Sequence, residues 1–224
     1  MSQVRAEPRS RLRKGEGDQL RREILDATAA LMAEKGSHEL VSIRDIANRV
    51  GVSPPAIYLH FETKDRLTYT VCREMFDGFG ARLLPILAAE GSALDRLRRL
   101  GREYVRWGLD NSGLYSVLFL GEPPESIGAE EMAGDPGLLV LEGLVALVRS
   151  GMDDGVIRSD SSPEATTWAM WAAVHGSVLL MTSKMEWMRE HLATAGSSIK
   201  VPEVEEMIDT VIDSVFRAFA PSEH

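Results

Sequence analysis

The segment over residues 42–61, SIRDIANRVGVSPPAIYLHF, is the feature that most constrains the fold. Its first half repeats apolar residues at three- and four-residue steps up to Gly51, which predicts a short helix closed by a left-handed glycine. Its second half runs from Ser53 through two prolines to Phe61, which predicts another short helix. Two short helices joined by a tight, glycine-containing turn form a helix-turn-helix.

Two serines mark where these helices are expected to begin. Ser42 is followed three residues later by Asp45, which is a capping-box pattern, so the first helix is predicted to start there. Ser53 is predicted to cap the second, recognition helix, with Pro54 at its first position. Because the residue before a proline avoids helical backbone angles, Pro54 followed by Pro55 predicts that this helix starts one residue late.

Helical periodicity continues along the chain, and no segment alternates as a half-buried strand does. The predicted helices cover residues 19–35, 94–120, 138–152, 163–187 and 202–220, and a proline opens the first turn of each of the last two. Residues 121–137, rich in Gly, Pro and Glu, are expected to form a mobile loop or a short-helix region. We therefore expect an all-α fold, with a flexible arm over residues 1–17, a three-helix helix-turn-helix domain over residues 18–79 and a larger helical domain over residues 80–224.

The net charge of −9 is unevenly distributed. Residues 1–66 carry 12 Lys and Arg against 10 Asp and Glu, whereas residues 67–224 carry 13 against 24. The first 22 residues hold 7 basic residues and 3 acidic ones. This asymmetry favours a polyanionic partner for the N-terminal part alone, although a basic tail without a partner explains the same counts equally well.

Several classes of protein are excluded by what the sequence lacks. No apolar run approaches the roughly 18–20 residues that a membrane span needs, so we expect no membrane partner. The single cysteine, Cys72, rules out an intramolecular disulfide and a cysteine-built zinc cluster. The five histidines are scattered, and there is no glycine-rich phosphate loop, nucleophile elbow or paired metal-ligand motif. We therefore expect a cytoplasmic protein that is not an enzyme and holds no cofactor or metal.

The segment from Arg21 to Phe79, about a quarter of the chain, resembles the DNA-binding domain of the TetR/AcrR family of transcriptional regulators. The resemblance implies that residues 18–79 bind double-stranded operator DNA as part of a homodimer, because two half-sites need two recognition helices. It rests on many residues in order: Ile24, Leu25, Glu34, Lys35, Gly36, Ser42, Ile43, Ile46, Ala47, Gly51, Val52, Ser53, Ile57, Tyr58, His60, Phe61, Lys64, Asp65, Arg66 and Leu67.

The resemblance assigns Tyr58, His60 and Lys64 to the phosphate backbone, and their polar groups are suitable donors to phosphate oxygens. Each has an ordinary alternative role as a solvated surface side chain. Arg44 is the best candidate for a guanine or phosphate contact. The recognition helix itself offers mostly apolar side chains, which suit thymine methyl groups rather than bidentate recognition of guanine. The remaining DNA-contact candidates are Ser42, Ser53, Pro54, Pro55 and Ala56.

In the larger domain, the local sequence Trp171-Ala-Ala-Val-His175-Gly176 resembles the Trp-…-His-Gly helix of one TetR subgroup. Aromatic residues of this helix and of the long helix over residues 94–120, including Tyr115 and Phe119, predict a largely apolar effector pocket with His175 as its polar contact. The alternative is a plain hydrophobic core in which a neighbouring carbonyl satisfies His175. The candidate effector contacts are Tyr104, Trp107, Trp168, Trp171 and His175.

Each of the last two predicted helices has an apolar face so wide that packing against one neighbouring helix would not cover it. The helix over residues 202–220 is apolar from Val204 to Phe219, with Val211 and Val215 between them. The helix over residues 163–187 is similar around Val174, Val178 and Met181. Pairing both helices with those of a second copy would bury the excess, so we expect a homodimer through the last two helices, the alternative being a core within one chain.

These observations together predict a repressor that a small apolar effector releases from operator DNA. Residues 80–224 are then expected to bind the effector and to dimerise. A DNA-binding regulator without ligand control, or an activator, is the alternative. The arm residues Arg9, Arg11, Arg13 and Lys14 are candidates for an adjacent minor groove, or form only a solubilising tail.

Overall fold

A computed structural model of the chain describes residues 16–124, 126–132 and 134–221, and these residues form helices joined by turns, with no strand among them. The expected all-α fold is confirmed. In chain order the described helices are α1 (Glu16–Lys35), α2 (Ile43–Val50), α3 (Pro54–Tyr58), α4 (Lys64–Leu87), α5 (Ala93–Asp110), α6 (Ser112–Leu120), α7 (Ala129–Met132), α8 (Pro136–Asp153), α9 (Pro163–Ser183), α10 (Met185–Thr194) and α11 (Val204–Phe219).

The helices belong to two compact units. The first unit is Met1–Met75 with Gly113–Ala133 and the second is Phe76–Ser112 with Gly134–His224, of which only the described residues are discussed. The division falls inside α4, and it assigns α7 to the first unit although α5 of the second unit precedes it in sequence. Compactness alone does not show which part folds independently, so the domain boundary expected between residues 79 and 80 stays a prediction.

One apolar core joins α1, α2, α3 and α4 in the first unit. Ile24 of α1, Ile46 of α2 and Leu67 of α4 are fully buried in it. A helix of five residues, such as α3, is not stable alone. Its side chain in this core is Ile57, which is also fully buried and contributes about 1.5–3 kcal/mol by its burial. The core therefore holds the helix-turn-helix in shape.

Asn111 divides the predicted long helix over residues 94–120 into α5 and α6. Its backbone leaves the helical angles, with φ −117° and ψ 28°, and its side-chain amide donates to the Trp107 carbonyl at 2.8 Å. The backbone N–H of Asn111 donates to the same carbonyl at 3.1 Å, so the side-chain amide adds a second hydrogen bond at the end of α5. Helical periodicity alone does not reveal this break, because the apolar pattern continues on both sides of it.

The last two predicted helices also have different ends from those expected. Lys184, with φ −130° and ψ −28°, separates α9 from α10, so residues 163–187 are not one helix. Pro163 occupies the first turn of α9 as expected. Pro202 does not open α11, because Glu203 is the extended N-cap residue and Val204 is the first helical one.

In the second unit, α5 and α11 are joined by an ion-pair ladder, which consists of Arg98–Asp213 (2.7 Å), Arg102–Asp209 and Arg106–Glu205 (3.0 Å). The residue numbers rise along α5 as they fall along α11, so the two helices are antiparallel. All three pairs are partly exposed, so each stabilises the fold by about 0–1 kcal/mol. Between them, a Cβ atom at Gly101 would lie 2.6 Å from Cδ1 of the buried Ile212, so glycine permits the close approach of the helices.

None of the described helices combines the length and the apolar character that crossing a bilayer requires.

Candidate nucleic-acid interface and effector site

The predicted capping box closes the N-terminus of α2. The Ser42 hydroxyl accepts the backbone N–H of Asp45 at 3.2 Å, and the Asp45 carboxylate accepts the backbone N–H of Ser42 at 3.1 Å. Lys35 Nζ lies 2.7 Å from the same carboxylate. Hydrogen bonds from Lys35 and Ser42 lower the pKa of Asp45 to about 2. The hydroxyl of Ser42, a predicted DNA contact, is therefore engaged in the cap.

A tight turn leads from α2 into α3. Gly51 adopts left-handed angles (φ 79°, ψ 34°), and its N–H donates to the Ala47 carbonyl. The prediction that α3 starts late is wrong, since Pro54 is its first residue. The first N–H groups of a helix have no partner within it, so prolines there cost no hydrogen bond.

Ser53 is the N-cap residue of α3, but the prediction that its side chain caps the helix is wrong. A capping side chain normally accepts the N–H of the second or third helical residue. The second residue here is Pro55, which has no N–H. The third is Ala56, whose N–H donates to the Ser53 carbonyl at 2.9 Å. The Ser53 hydroxyl therefore makes no capping bond and stands at an exposed position.

The predicted DNA contacts of the helix-turn-helix lie mainly at its surface. Arg44, Ser53, Pro54, Pro55 and Tyr58 are exposed, whereas Ala56 and His60 are half-buried. The side chain of Leu59, next to Tyr58, is 81% exposed. The arm residues Arg9, Arg11, Arg13 and Lys14 lie outside the described residues. The helix-turn-helix thus presents these side chains together, and their contacts with DNA stay predictions.

Lys64, the first residue of α4, makes a contact that the sequence did not predict. Its Nζ lies 3.4 Å from the carbonyl of His38 and 3.3 Å from that of Glu39, so it links α4 to the turn between α1 and α2. An ammonium group has three N–H donors. A phosphate contact by Lys64 can therefore add to these two bonds.

The segment around α7 packs on the first turns of α4 within the first unit. Ser126 donates to the Asp65 carboxylate at 2.9 Å, Arg66 pairs with Glu131, and the Tyr69 hydroxyl donates to the Glu131 carbonyl at 3.0 Å. The Gly and Pro content predicts a mobile loop or a short-helix region here, and α7 is such a short helix. These partners are 61 to 65 residues apart, and polar pairs at such a distance leave no periodic signal in a sequence.

Tyr115 and Phe119 also lie in the first unit, on α6, with ring centroids 4.8 Å apart. The sequence grouped them with the effector aromatics because it treated residues 94–120 as one helix. The break at Asn111 removes the reason for that grouping.

Three of the five predicted effector contacts form a hydrogen-bonded chain between α5 and α9. Trp171 Nε1 donates to the Tyr104 hydroxyl at 2.9 Å, and this hydroxyl lies 3.1 Å from Nδ1 of His175. Burial lowers the pKa of His175 below its ordinary value of 6.5, so the imidazole is neutral at pH 7. The phenol of Tyr104 is thus a hydrogen-bonding partner of Nδ1 that the alternative interpretation did not name.

The other two predicted effector contacts have different surroundings. Trp107 is buried, and its ring meets Phe79 of α4 edge to face at 5.0 Å, as Tyr104 does at 5.7 Å. Trp168 is 54% exposed and packs against Trp171 at 5.0 Å. The structure therefore brings the predicted residues into one aromatic cluster, and it adds Phe79, which sequence periodicity could not connect with α5.

The apolar residues behind the predicted dimer interface are mostly covered by their own chain. Val174, Val178 and Met181 of α9 and Val215 of α11 are buried, because α5 and α8 pack against α9, and α11 packs against both α5 and α9. Beyond Glu164 in its first turn, the exposed face of α9 is nevertheless uncharged. It consists of Ala165, Trp168, Ala169, Ala172, Ala173, Gly176, Leu180 and Ser183.

Two family models match the chain. The model described as "Bacterial regulatory proteins, tetR family" matches residues 24–68. The model described as "Tetracyclin repressor-like, C-terminal domain" matches residues 97–195. The two ranges together take in more than half of the chain, and the first contains the helix-turn-helix.

Individual relatives are similar over part of the chain. The nucleoid occlusion factor SlmA of Cronobacter sakazakii is 31% identical over 98 residues, 44% of this chain and 50% of the relative. The transcriptional repressor KstR2 of Mycobacterium tuberculosis is 31% identical over 86 residues, 38% of this chain and 42% of the relative. The chain thus spans half or less of the length of these curated relatives.

A solved structure has the same fold. AibR in complex with isovaleryl coenzyme A and operator DNA is 19% identical and has a TM-score of 0.67, with 88% of this chain and 98% of that chain covered. The two family models and the helix-turn-helix agree. The chain belongs to the TetR family of DNA-binding transcriptional regulators.

Proposed function

We propose that this regulator is a homodimeric repressor that a small, largely apolar effector releases from operator DNA. The observation that carries the effector proposal is the hydrogen-bonded chain of Trp171, Tyr104 and His175 within the aromatic cluster. The name of KstR2 as a repressor and the complex of AibR with both a ligand and operator DNA support the same function.

The DNA contacts of the proposal are those of the helix-turn-helix surface. Tyr58, His60 and Lys64 bind phosphates, and Arg44 binds a base or a phosphate. Replacing Lys64 or Tyr58 should weaken binding to the operator and to unrelated DNA alike, because phosphates carry no sequence. Removing Arg44 should change which sequences are preferred if it reaches a base. If the Lys64 and Tyr58 variants both bind DNA as tightly as the wild type, with the same salt dependence, the phosphate assignment is contradicted.

The exposed face of α9 is the proposed dimer surface, together with the neighbouring α11. Between Glu164 and Lys184, α9 has no Asp, Glu, Lys or Arg, so a second copy can cover this face without burying those charges. Ala172, Ala173 and Gly176 are small enough for another helix to approach closely. A contiguous apolar surface of this kind is typical of an interaction site.

The effector in this proposal is neutral where it meets α9, since a buried charge without a partner is costly. A neutral imidazole and a phenol both exchange hydrogen bonds with carbonyl or hydroxyl groups. The cluster therefore suits an apolar or aromatic molecule that carries such a group. The assignment of the chain to the Trp-…-His-Gly subgroup belongs to the same proposal.

The helix α4 is the proposed path of the signal. It starts at Lys64 beside the recognition helix in the first unit, and Phe79 on the same helix contacts Tyr104 and Trp107 in the second unit. An effector that favours one position of these rings would change the position of α4. It can shift DNA binding only by its difference in affinity for the two arrangements.

A regulator without ligand control is the second candidate, and one observation favours it. Tyr104 and Trp107 are buried and packed on Phe79, as core residues are. In that case the cluster stabilises the second unit and no effector alters DNA binding.

Selecting bound sites from random duplex DNA with the full chain, and then screening fatty acids, acyl-coenzyme A thioesters and aromatic drugs for release, tests the proposal. An active compound should lose effect with His175→Ala and with Tyr104→Phe, which keeps the ring. Operator affinity without the compound should stay nearly unchanged in both. If no compound releases the DNA, or if both variants respond as the wild type does, the effector site is wrong.

A further inference from the structure

The recognition helix has few polar groups with which to identify bases. From Ser53 to Leu59 the only polar side-chain atoms are the hydroxyls of Ser53 and Tyr58. Bidentate recognition of guanine uses the donors of Arg or Lys, and that of adenine uses the donor and acceptor of Asn or Gln. This helix therefore cannot discriminate bases by the commonest hydrogen-bonding pairs, and another kind of contact must supply selectivity.

Leu59 is the most exposed large apolar side chain among the described residues, at 81%. It directly follows α3 in helical backbone geometry, with φ −71° and ψ −19°. Its neighbours Pro54, Pro55 and Tyr58 are exposed as well, while Ile57 is buried and holds the helix in the core. A single exposed leucine needs no explanation by itself. Leu59, however, stands with these exposed residues on the helix-turn-helix surface that is proposed to meet DNA, and DNA bound there would cover it.

We propose that Leu59 determines operator specificity by contacting the C5 methyl group of a thymine in the major groove. Thymine is the only standard DNA base with a methyl group there, so an apolar contact distinguishes it from cytosine. Removing one such methyl from an apolar contact should weaken binding about fourfold, which is the value of one buried carbon group. The inference rests on the proposed DNA-binding surface and names one of its specificity contacts.

Deoxyuridine provides the test, because it pairs with adenine as thymidine does and lacks only the methyl group. Sites selected from random DNA with the full chain are resynthesised with each thymine replaced in turn by deoxyuridine. We expect one position in each half-site at which the replacement lowers affinity about fourfold. The Leu59→Ala variant should bind thymine and uracil duplexes equally at that position.

Leu120→Ala is the matched control, because Leu120 is 64% exposed in the same unit but lies outside the helix-turn-helix. It should keep the full preference for thymine. Thermal melting shows whether both variants fold as the wild type does. We expect that they do, because Leu59 and Leu120 are both exposed.

Three results overturn the inference while leaving DNA binding intact: selected sites without a fixed thymine, equal affinity for every uracil-containing duplex, or a thymine preference that persists in Leu59→Ala. A chain that selects no preferred site at all overturns the proposed repressor function as well. The two failures are thus distinguishable in the same experiment.

Discussion

The hydroxyl of Tyr104 lies 3.1 Å from Nδ1 of His175, so two polar groups meet where α5 and α9 pack. The indole of Trp171 can only donate, and the Tyr104 oxygen accepts its hydrogen bond. When His175 is neutral, its Nδ1 can accept the hydrogen of Tyr104, and the chain of bonds runs in one direction. A protonated His175 would offer a donor at Nδ1 and reverse the second bond.

This geometry predicts a pH-dependent stability of the chain. Burial lowers the pKa of His175 in the folded state below 6.5, its ordinary value, which holds in the unfolded state. The unfolded chain therefore binds the proton more readily, and stability is lost as the pH falls below 6.5 toward the folded pKa. Urea midpoints at pH 8 and pH 5.5 should differ less for His175→Asn than for the wild type. An identical difference in both proteins would contradict the prediction.

The capping box predicts unequal effects for two serine substitutions. Ser42→Ala removes a hydroxyl that accepts the Asp45 N–H, so it should lower the free energy of unfolding by about 1 kcal/mol. Ser53→Ala is the matched control, because the Ser53 side chain makes no capping bond. Urea denaturation measures both. An equal loss in the two variants would mean that the Ser42 bond does not stabilise α2.

Cys72 is predicted to be a poor nucleophile in the folded protein. Burial raises the pKa of its thiol to about 11, so almost no thiolate exists at pH 7.5. Iodoacetamide should therefore modify the native protein far more slowly than the urea-unfolded protein. Equal rates would show that the core around Cys72 opens freely under native conditions.

The exposed face of α9 predicts the effect of a charge on assembly. Ala172 is exposed, and Ala172→Glu should leave the chain folded but make it monomeric, because dimerisation would bury an unpaired carboxylate. Ala81→Glu places the same charge at an exposed alanine of α4 and should leave the dimer intact. Sedimentation distinguishes the two. A dimeric Ala172→Glu protein with full operator affinity would place the interface elsewhere.

The helix-turn-helix was predictable because its signals are local. The Ser42–Asp45 box, Gly51 and the buried stripe around Ile46 lie within a few residues of one another, and the structure contains each of them. The prediction of a late start for α3 is wrong because a proline in the first helical turn costs no hydrogen bond, and this outweighs the restriction that Pro55 places on Pro54.

Predictions for the second unit depended on contacts between distant residues. The pattern of apolar residues placed Tyr104 and His175 on suitable faces, but it could not join either to Phe79. It also could not tell which apolar residues of α9 are covered by their own chain. Val178 is buried and Leu180 is exposed, and both belong to equally apolar stretches of sequence. Burial on a helix that is apolar on all sides is decided by its neighbours.

The ion-pair ladder between α5 and α11 limits how the length of α11 can vary between related chains. Glu205, Asp209 and Asp213 are four residues apart, so they share one side of the helix. One residue inserted between Glu205 and Asp209 would rotate everything after it by about 100°. Asp209 and Asp213 would leave their arginines, and Ile212 would leave Gly101. We therefore expect an insertion or deletion inside α11 to destabilise the second unit more than one at either end of the helix.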